Sequence, residues 1–381
     1  MREYLVRVPF RKNSPQGEQL INRAETVRLS SSNAMTHVSN GLFVEKNVGL
    51  DLLAKFETRS RQLVEKFGCS TNQADSGAMK LVISCLKRHE SLKYCRPPST
   101  EFLQEVTEFN RTSTGKNPIA KIASVTGAGE WAGYNCNIGE GCQHGCLYCY
   151  ASGIAVTRFK RVASMDAWRN EVMIDAKTGK CKKYLTAIMF PTTHDITPLY
   201  LPAYRCHLYN ILIVGNTVII VSKPHRECIE AICAEFSSFR DTMIFRFSIG
   251  TLDNDKLKLW EPGAPSVSER MWCLQYVFEQ GFRTSISAEP MLTDRHGAEQ
   301  LYYAVEPLVT EDIWFGKMNN VGGFRKSENA DLARSATELV AAYQDSEIMA
   351  MFEHMGALPK VSWKDSVKEI IKKHNRNEDI L

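Results

Sequence analysis

The central part of the chain alternates short apolar runs with longer segments whose apolar residues recur at helical spacing. Short β-prone runs bounded by turn residues predict buried strands, and a period near 3.6 predicts helices. Repeated strand–helix units favour a parallel sheet, built either as a partial barrel or as a doubly wound sheet. Six strands are predicted, at residues 131–138, 184–190, 217–222, 243–249, 283–288 and 312–316. Helices, whole or partial, are predicted at residues 154–176, 200–213, 227–236, 266–280 and 297–305.

Both ends of the chain are predicted to be mainly helical. The first part has one short strand near residues 4–8 and a helix near 48–67, which Gly68 would end. After residue 327 apolar residues again recur at helical spacing, and residues 361–367 are predicted to open another helix. The predicted organisation is a mostly helical N-terminal extension at 1–115, a core at 116–326 and a C-terminal helical segment at 327–381.

Composition is that of a globular protein, with 44% hydrophobic and 24% charged residues in a chain of 381. The sequence contains no uninterrupted apolar run of membrane-spanning length and no apolar signal-peptide core, so we expect a cytoplasmic protein without a membrane partner. Twelve cysteines in a chain of this size favour free thiols over a disulfide framework. The net charge of +4 does not identify a partner. Two basic groups are either solvated helix faces or nucleic-acid contacts, namely Arg158, Lys160 and Arg161, and Lys364, Lys368, Lys372 and Lys373.

Three cysteines stand close together, Cys142, Cys146 and Cys149, with three and then two residues between them. Thiolates are soft ligands that favour zinc, copper(I) or iron–sulfur clusters. A cubane cluster bound only by protein needs four thiolates, so three would leave one iron open to another ligand. The alternative is a zinc site that takes His144 or Cys136 as its fourth ligand.

The stretch at 141–151, Gly-Cys-Gln-His-Gly-Cys-Leu-Tyr-Cys-Tyr-Ala, resembles the signature of the radical S-adenosylmethionine (radical SAM) enzymes. More narrowly, it is similar to the spore photoproduct lyase-like branch of that superfamily. Residues 261–270 also resemble a Glu-Pro-x-Ala-Pro pattern of the branch that ends in an arginine, here with Glu261 and Arg270. These two residues are expected either to form a buried pair or to contact substrate.

The resemblance implies an α/β fold of the partial (β/α)6 TIM-barrel type and a [4Fe–4S] cluster held by Cys142, Cys146 and Cys149. S-adenosyl-L-methionine would chelate the open iron and be cleaved reductively to a 5′-deoxyadenosyl radical, which takes a hydrogen atom from the substrate. A reducing partner such as flavodoxin or ferredoxin would supply the electron. Branch analogy points to a nucleic-acid base or nucleotide as substrate, with a small metabolite or peptide as the alternative.

Candidate cofactor-binding residues follow the predicted strands, because functional groups of parallel α/β barrels gather at the carboxyl ends of the strands. Thr193 and Asp195 would accept the ammonium group of the cofactor, although His194 interrupts the pattern of the branch and a loop-capping turn is the alternative. Lys223 would bind a carboxylate or phosphate unless it is a surface lysine at a turn. Further candidates are Ser248 and Thr251, whose hydroxyls suit a ribose or carboxylate, Tyr148 in the cysteine motif, and Glu289 after the fifth strand.

No catalytic side chain is assigned from the sequence. Spore photoproduct lyase uses a cysteine as hydrogen-atom donor, and no cysteine here matches it convincingly; Cys136 is better interpreted as a buried thiol, and Cys181 precedes the second strand. Two rival classes therefore stand beside the radical enzyme. One is a non-enzymatic zinc protein that binds nucleic acid, and the other is a cluster protein that senses redox state or S-adenosylmethionine.

Overall fold

The computed structural model describes residues 2–14, 17–29, 36–38, 42–44, 46–92 and 94–378, with side chains described from residue 54 to residue 375 except residue 93. The chain divides into two compact units, Met1–Lys87 and Arg88–Leu381. The division therefore lies upstream of the boundary predicted near residue 115. The helix at Thr100–Thr112 belongs to the second unit, where Phe102 packs edge-on against Tyr209 and Phe236.

The N-terminal unit combines an antiparallel sheet with helices. Its strands are β1 (Arg2–Ser14), β2 (Gly17–Leu29), β3 (Thr36–Val38) and β4 (Leu42–Val44), which pair in that order. Helix α1 (Lys46–Phe67) follows, and α2 (Thr71–Ser91) crosses into the second unit. The predicted strand and helix lie within β1 and α1, whereas strands β2, β3 and β4 were not predicted. Polar residues interrupt the apolar ones throughout 17–29, so no apolar run marks β2.

The second unit is built on an eight-stranded sheet in the order β14-β13-β12-β11-β10-β9-β6-β5. Neighbouring strands are parallel except β5 and β6, and β14 does not pair with β5, so the sheet is open. Two further strands, β7 and β8, form a separate antiparallel ribbon. The strands are β5 (Ile119–Lys121), β6 (Tyr134–Cys136), β7 (Gly139–Glu140), β8 (Val172–Met173), β9 (Ile188–Met189), β10 (Val218–Ser222), β11 (Met243–Ser248), β12 (Arg283–Ala288), β13 (Ile313–Phe315) and β14 (Val361–Trp363).

Helices cover the sheet between successive strands, which confirms the predicted α/β class with parallel strands. Their ends follow ordinary capping chemistry: Ser266 caps α8 by accepting a hydrogen bond from the Glu269 amide, and Gly281 after the helix has a φ of +85°. The helices of this unit are α3 (Thr100–Thr112), α4 (Tyr150–Thr157), α5 (Leu201–Leu212), α6 (Arg226–Glu235), α7 (Asn254–Trp260), α8 (Val267–Glu279), α9 (Arg295–Val305), α10 (Ala330–Ala342), α11 (Asp345–Met355) and α12 (Asp365–Glu378).

The two faces of the sheet differ in chemistry. On the helix-covered face, Ile220, Phe245 and Phe247 are completely buried in one large apolar core. On the opposite face, Ile219 and Ile244 belong to a small separate apolar cluster, and Arg246 follows Ile244 on the same side of β11. This alternation leaves the inner face free to carry polar groups at the carboxyl ends of the strands.

One predicted helix differs from the structure. Residues 361–367 do not open a helix, because Val361–Trp363 forms β14 in parallel register with β13 and α12 begins only at Asp365. Residues 154–176 are partly helical: α4 ends at Thr157, Lys160 has a left-handed φ of +49°, and a short 3-10 helix follows at Ala167–Arg169. The six predicted strands contain β6 and β9 to β13, and β14 adds a seventh parallel strand. Within the described part of the chain, no helix has both the length and the apolar character needed to cross a bilayer.

Candidate active site

The cysteine loop, residues 141–149, connects β7 to α4. Its path depends on glycines: Gly141 has a φ of +89°, and a Cβ there would lie 2.4 Å from the carbonyl oxygen of Asn170. Gly145 has a φ of +58° and packs against the guanidinium group of Arg169. A side chain at either position would be strained and would displace the loop.

Backbone hydrogen bonds hold the cysteine loop from two sides. The Cys142 amide donates to the carbonyl of Trp168 at 2.8 Å. On the other side, the Leu147 amide donates to the carbonyl of Trp260 at 2.9 Å, and the Gly263 amide donates to the carbonyl of His144 at 2.9 Å. The loop is thereby fixed to two segments that are remote from it in sequence.

A cavity of about 970 Å³ opens beside the cysteine loop. All three cysteines of the motif line it, and the opposite walls are formed by residues at the carboxyl ends of the parallel strands. Its volume falls at the upper end of the range of about 300 to 1,000 Å³ that is usual for small-molecule sites. The predicted site residues that line it are Cys142, Cys146, Tyr148, Cys149, Thr193, Asp195, Lys223, Ser248 and Glu289.

The donor set fits a three-thiolate cluster in number and chemistry. Burial raises the pKa of the Cys142 thiol, and it raises that of Cys146 to about 12. A bound iron would reverse this preference, because a metal cation stabilises the thiolate form. Among the residues that the structure describes, no group of three or more His, Cys, Asp or Glu side chains converges at metal-binding distance, so the three sulfurs would have to draw together on binding.

Neither of the two residues expected from the sequence as a fourth zinc ligand is placed to act as one. Both ring nitrogens of His144 are engaged, since Nε2 lies 2.8 Å from Nε2 of His225 and Nδ1 lies 3.1 Å from Asp195. Cys136 is completely buried in the main apolar core and does not line the cavity. Neither of the two candidate ligands is therefore free to complete a zinc site with the three cysteines.

Asp195 supports the cysteine loop from the end of the second parallel strand. Its carboxylate accepts hydrogen bonds from the Ser222 hydroxyl and from the Lys223 amide at 3.1 Å, and it faces His144. Burial alone would raise the pKa of Asp195, but His144, Lys223 and Ser222 outweigh burial and lower it. Asp195 is thus an ionised, heavily bonded carboxylate and not a loop-capping turn residue.

Thr193 lies beside Asp195 on the cavity wall. Its amide donates a hydrogen bond to the side-chain oxygen of Asn137 at 3.1 Å, and the same oxygen accepts a hydrogen bond from the Thr192 amide at 2.9 Å. Asn137 precedes the cysteine loop in sequence, so the second strand end and the loop share one hydrogen-bonded support.

His194, which interrupts the pattern of the branch, has a structural role that the sequence did not reveal. Its Nε2 accepts hydrogen bonds from the amides of Ile138 and Gly139, each at 3.2 Å, just before the cysteine loop. Its Nδ1 lies 2.9 Å from the hydroxyl of Tyr204. Burial lowers the pKa of His194 to about 4, so the ring stays neutral and Nε2 keeps the lone pair that these amides require.

Tyr148, Glu261 and Arg270 form a buried chain of hydrogen bonds. The Tyr148 hydroxyl donates to Glu261, and Glu261 pairs with Arg270, whose side chain is completely buried. Arg270 also donates to the carbonyl of Ser248 at 2.9 Å and thereby fixes the end of β11. Glu261 and Arg270 are therefore the buried pair expected from the sequence, and neither lines the cavity.

Lys223 and Ser248 both line the cavity, whereas Thr251 does not. The Thr251 hydroxyl is buried and accepts a hydrogen bond from the Asp253 amide at 3.0 Å, which shapes the start of α7. Lys223 is not a surface lysine, because its ammonium group lies 5.9 Å from the centre of the Tyr148 ring inside the cavity.

Lys364 is a cavity residue that sequence reasoning did not place in the site. The residue is 1% exposed, and its ammonium group binds Glu130 at 2.6 Å and the carbonyl of Gly127 at 2.8 Å. It also lies 3.4 Å from Glu289, whose pKa is raised by burial although Lys364 opposes that rise. The only sequence signal was a lysine in a basic group near the C-terminus, and β14 is the element that delivers it to the cavity.

No protein-family model matches the chain, and no curated protein sequence is significantly similar to it. Among solved structures, a cysteine-to-serine mutant of spore photoproduct lyase is 14% identical at a TM-score of 0.44, over 71% of this chain and 87% of that one. A cysteine-to-alanine mutant with a dinucleoside spore photoproduct is 14% identical at 0.43, over 83% and 94%. SuiB from Streptococcus suis bound to S-adenosylmethionine is 12% identical at 0.34, over 89% and 70%. Spore photoproduct lyase is thus a structural neighbour, and scores this low extend none of these proteins' activities to this chain.

Proposed function

We propose that this chain is a radical SAM enzyme that binds a [4Fe–4S] cluster and S-adenosylmethionine in the cavity beside the cysteine loop. The observation that carries the proposal is the donor set: Cys142, Cys146 and Cys149 line one cavity, and neither His144 nor Cys136 is free to act as a fourth protein ligand. Three thiolates leave one iron for a ligand that is not protein.

The three cysteines would hold the cluster, and the strand ends would hold the cofactor. Thr193, Lys223 and Ser248 all line the cavity and offer a hydroxyl, an ammonium and a hydroxyl group to S-adenosylmethionine. Asp195 is already bonded to Ser222 and the Lys223 amide, so we assign it the positioning of the cysteine loop rather than direct contact with the cofactor's ammonium group. Thr251 lies outside the cavity and is not assigned a cofactor contact.

When bound and reduced, the cluster and S-adenosylmethionine supply a 5′-deoxyadenosyl radical, and the protein's task is to aim it and to exclude water. Met189, Val221 and Trp131 give the cavity apolar walls opposite the cysteine loop. Such walls suit a substrate held with one carbon–hydrogen bond toward the cofactor and protected from solvent. No side chain is assigned a proton or hydrogen-atom transfer.

The proposed substrate is a nucleic-acid base or nucleotide. Tyr148 and Tyr150 line the cavity and offer aromatic rings for a planar base to pack against, whereas Trp131 lines the cavity with its ring already contacted by Lys364 and Arg246. Trp260, in contrast, is completely buried and does not reach the cavity. A small metabolite or a peptide is the alternative substrate, and a low-potential redox protein such as flavodoxin or ferredoxin is the proposed electron donor.

The test is anaerobic reconstitution of the full chain with iron and sulfide, followed by reduction and an assay for 5′-deoxyadenosine from added S-adenosylmethionine. We expect product from the wild type and none from Cys146→Ala, which removes one cluster ligand. Cys181→Ala is the matched control, because Cys181 is only partly buried and does not line the cavity. Tight zinc binding in place of iron would refute the proposal, and an intact cluster that never cleaves the cofactor would indicate a sensor.

Product formation alone leaves the substrate class open, so a second assay addresses it. S-adenosylmethionine deuterated at the 5′ carbon returns deuterium to substrate or solvent only where the radical has acted, and uptake of substrate hydrogen into 5′-deoxyadenosine reports abstraction. Nucleosides, single-stranded oligonucleotides and free amino acids would be compared as probes. Faster 5′-deoxyadenosine formation with a nucleic-acid probe supports the proposed class, whereas stimulation only by amino acids favours the alternative.

A further inference from the structure

Lys223 lines the cavity at the end of β10. No hydrogen bond joins its ammonium group to any of the residues that the structure describes, and no carboxylate oxygen among them lies within the 4.0 Å that defines an ion pair. The position of the residue is nevertheless fixed, because its backbone amide donates to both oxygens of Asp195, at 3.2 and 3.1 Å. The side chain then extends from the end of β10 toward the ring of Tyr148.

The titratable groups around Lys223 are Cys146 of the cysteine loop, the carboxylates of Glu261 and Asp195, and the guanidinium group of Arg270. Burial and Arg270 would lower the pKa of Lys223, but Cys146 in its thiolate form and the two carboxylates raise it above its usual range. In return, Lys223 opposes the rise that burial causes in the pKa of the Cys146 thiol. Lys223 therefore remains charged, and Cys146 becomes its strongest negatively charged neighbour once a bound metal converts the thiol to a thiolate.

The two carboxylates near Lys223 are already bonded to other groups. Glu261 pairs with Arg270 and accepts a hydrogen bond from Tyr148. Asp195 faces His144 and accepts a hydrogen bond from the Ser222 hydroxyl. The charge of Lys223 is thus not consumed by an ion pair and remains available to the sulfur ligands that share its cavity.

We propose that Lys223 raises the reduction potential of the cluster held by Cys142, Cys146 and Cys149, acting as a fixed positive charge in the cavity that all three cysteines line. This inference rests on the proposed function. One-electron reduction by a low-potential donor adds one negative charge to the cluster and its thiolates, and no covalent bond forms or breaks in that step. A buried ammonium group nearby stabilises the added charge, and net charge around a cluster is one of the factors that set its potential.

The test is a redox titration of the reconstituted full chain, followed by the electron paramagnetic resonance signal of the reduced cluster. S-adenosylmethionine is left out, so that a change in cofactor binding cannot imitate a change in potential. In Lys223→Met we expect the ratio of reduced to oxidised cluster to fall about tenfold at the wild-type midpoint, which corresponds to about 59 mV for one electron. Lys223→Arg keeps the charge and should stay near the wild-type potential.

Lys326→Met is the matched control, because Lys326 lines the same cavity but is exposed to solvent. Its potential should not change, since water screens an exposed charge. Equal midpoints for wild type and Lys223→Met would overturn the proposal. Lys223→Gln is a second neutral variant; loss of iron from both neutral variants but not from Lys223→Arg would also overturn it, in favour of a purely structural lysine. Failure of the wild type to hold an iron–sulfur cluster would instead refute the proposed function.

Discussion

The neutral state of His194 makes the stability of the cysteine loop depend on pH. Nε2 of His194 accepts hydrogen bonds from the amides of Ile138 and Gly139. Protonation would turn this nitrogen into a donor that faces two other donors. Burial lowers the pKa of His194 from 6.5 to about 4. We therefore expect the folded protein to lose stability as the solution is acidified through this range.

The sign and size follow from proton linkage. Between pH of about 6.5 and about 4 the unfolded chain binds a proton at this position and the folded chain does not, so the free energy of unfolding rises with pH. The contribution is complete above the unfolded value and is lost as pH falls toward the folded one. The pKa of His194 differs by about 2.5 between the unfolded and the folded chain, and a difference of 1 in pKa corresponds to 1.36 kcal/mol. The free energy of unfolding therefore changes by about 3 kcal/mol over this pH range.

The assay is urea unfolding followed by tryptophan fluorescence, for wild type and His194→Gln, at several pH values in this range. Glutamine can keep an acceptor near the position of Nε2 but does not titrate. The variant should therefore be less stable than wild type at neutral pH, and the difference in free energy of unfolding between the two should fall by about 3 kcal/mol as pH is lowered to about 4. His207→Gln is a parallel test of the linkage: His207 is also buried with its pKa lowered to about 4, so its difference from wild type should close over the same pH range although it contacts Thr178 instead of the cysteine loop. Parallel curves for wild type and His194→Gln would refute the reasoning.

Two further predictions concern the supports of the cysteine loop. Glu261→Ala leaves the completely buried Arg270 without its counter-ion and should lower the free energy of unfolding by about 3 to 5 kcal/mol in urea titrations; a loss below about 1 kcal/mol would contradict the buried pair. Gly263→Ala places a Cβ 2.5 Å from the carbonyl of Gln143 and should reduce iron retained after reconstitution, whereas Gly153→Ala in α4 meets no atom within 4 Å and should stabilise by about 0.5 to 1 kcal/mol. Equal iron retention in both variants would show that the Gly263 contact is unimportant.

The strands of the main sheet were predictable because each is a short apolar run between turn residues. Strand β10, with the sequence Val-Ile-Ile-Val-Ser, is an example, since its residues are buried on both faces. Strand β14 was missed because its three residues are only half-buried and lie directly before α12. The conformation of β14 is decided by its pairing with β13, which is remote in sequence. The local pattern of apolar residues does not predict such a pairing.

The lining of the cavity was predictable where the spacing of residues in a motif, or their position at the end of a strand, indicates a chemical role. The cysteines and the strand-end residues Thr193, Lys223 and Ser248 were found in this way, and the structure brings them to one cavity. Thr251 lies near the same strand end but turns away to accept the Asp253 amide, a difference that strand position alone does not resolve. His194 and Lys364 were missed because their partners are distant backbone groups and carboxylates, which only the folded chain brings together.

The backbone supports of the cysteine loop also determine when the loop can form during folding. The amide of Leu147 reaches the carbonyl of Trp260, and Tyr148 reaches Glu261 across 113 residues of sequence. Contacts between residues so distant in sequence form late in folding, because closing a long loop costs conformational entropy before the contacts add any stability. The thiols of Cys142, Cys146 and Cys149 therefore reach their common cavity only after β11 and α7 have packed. On the proposed function, cluster insertion would then be a step of maturation that follows the packing of β11 and α7 around the three thiols.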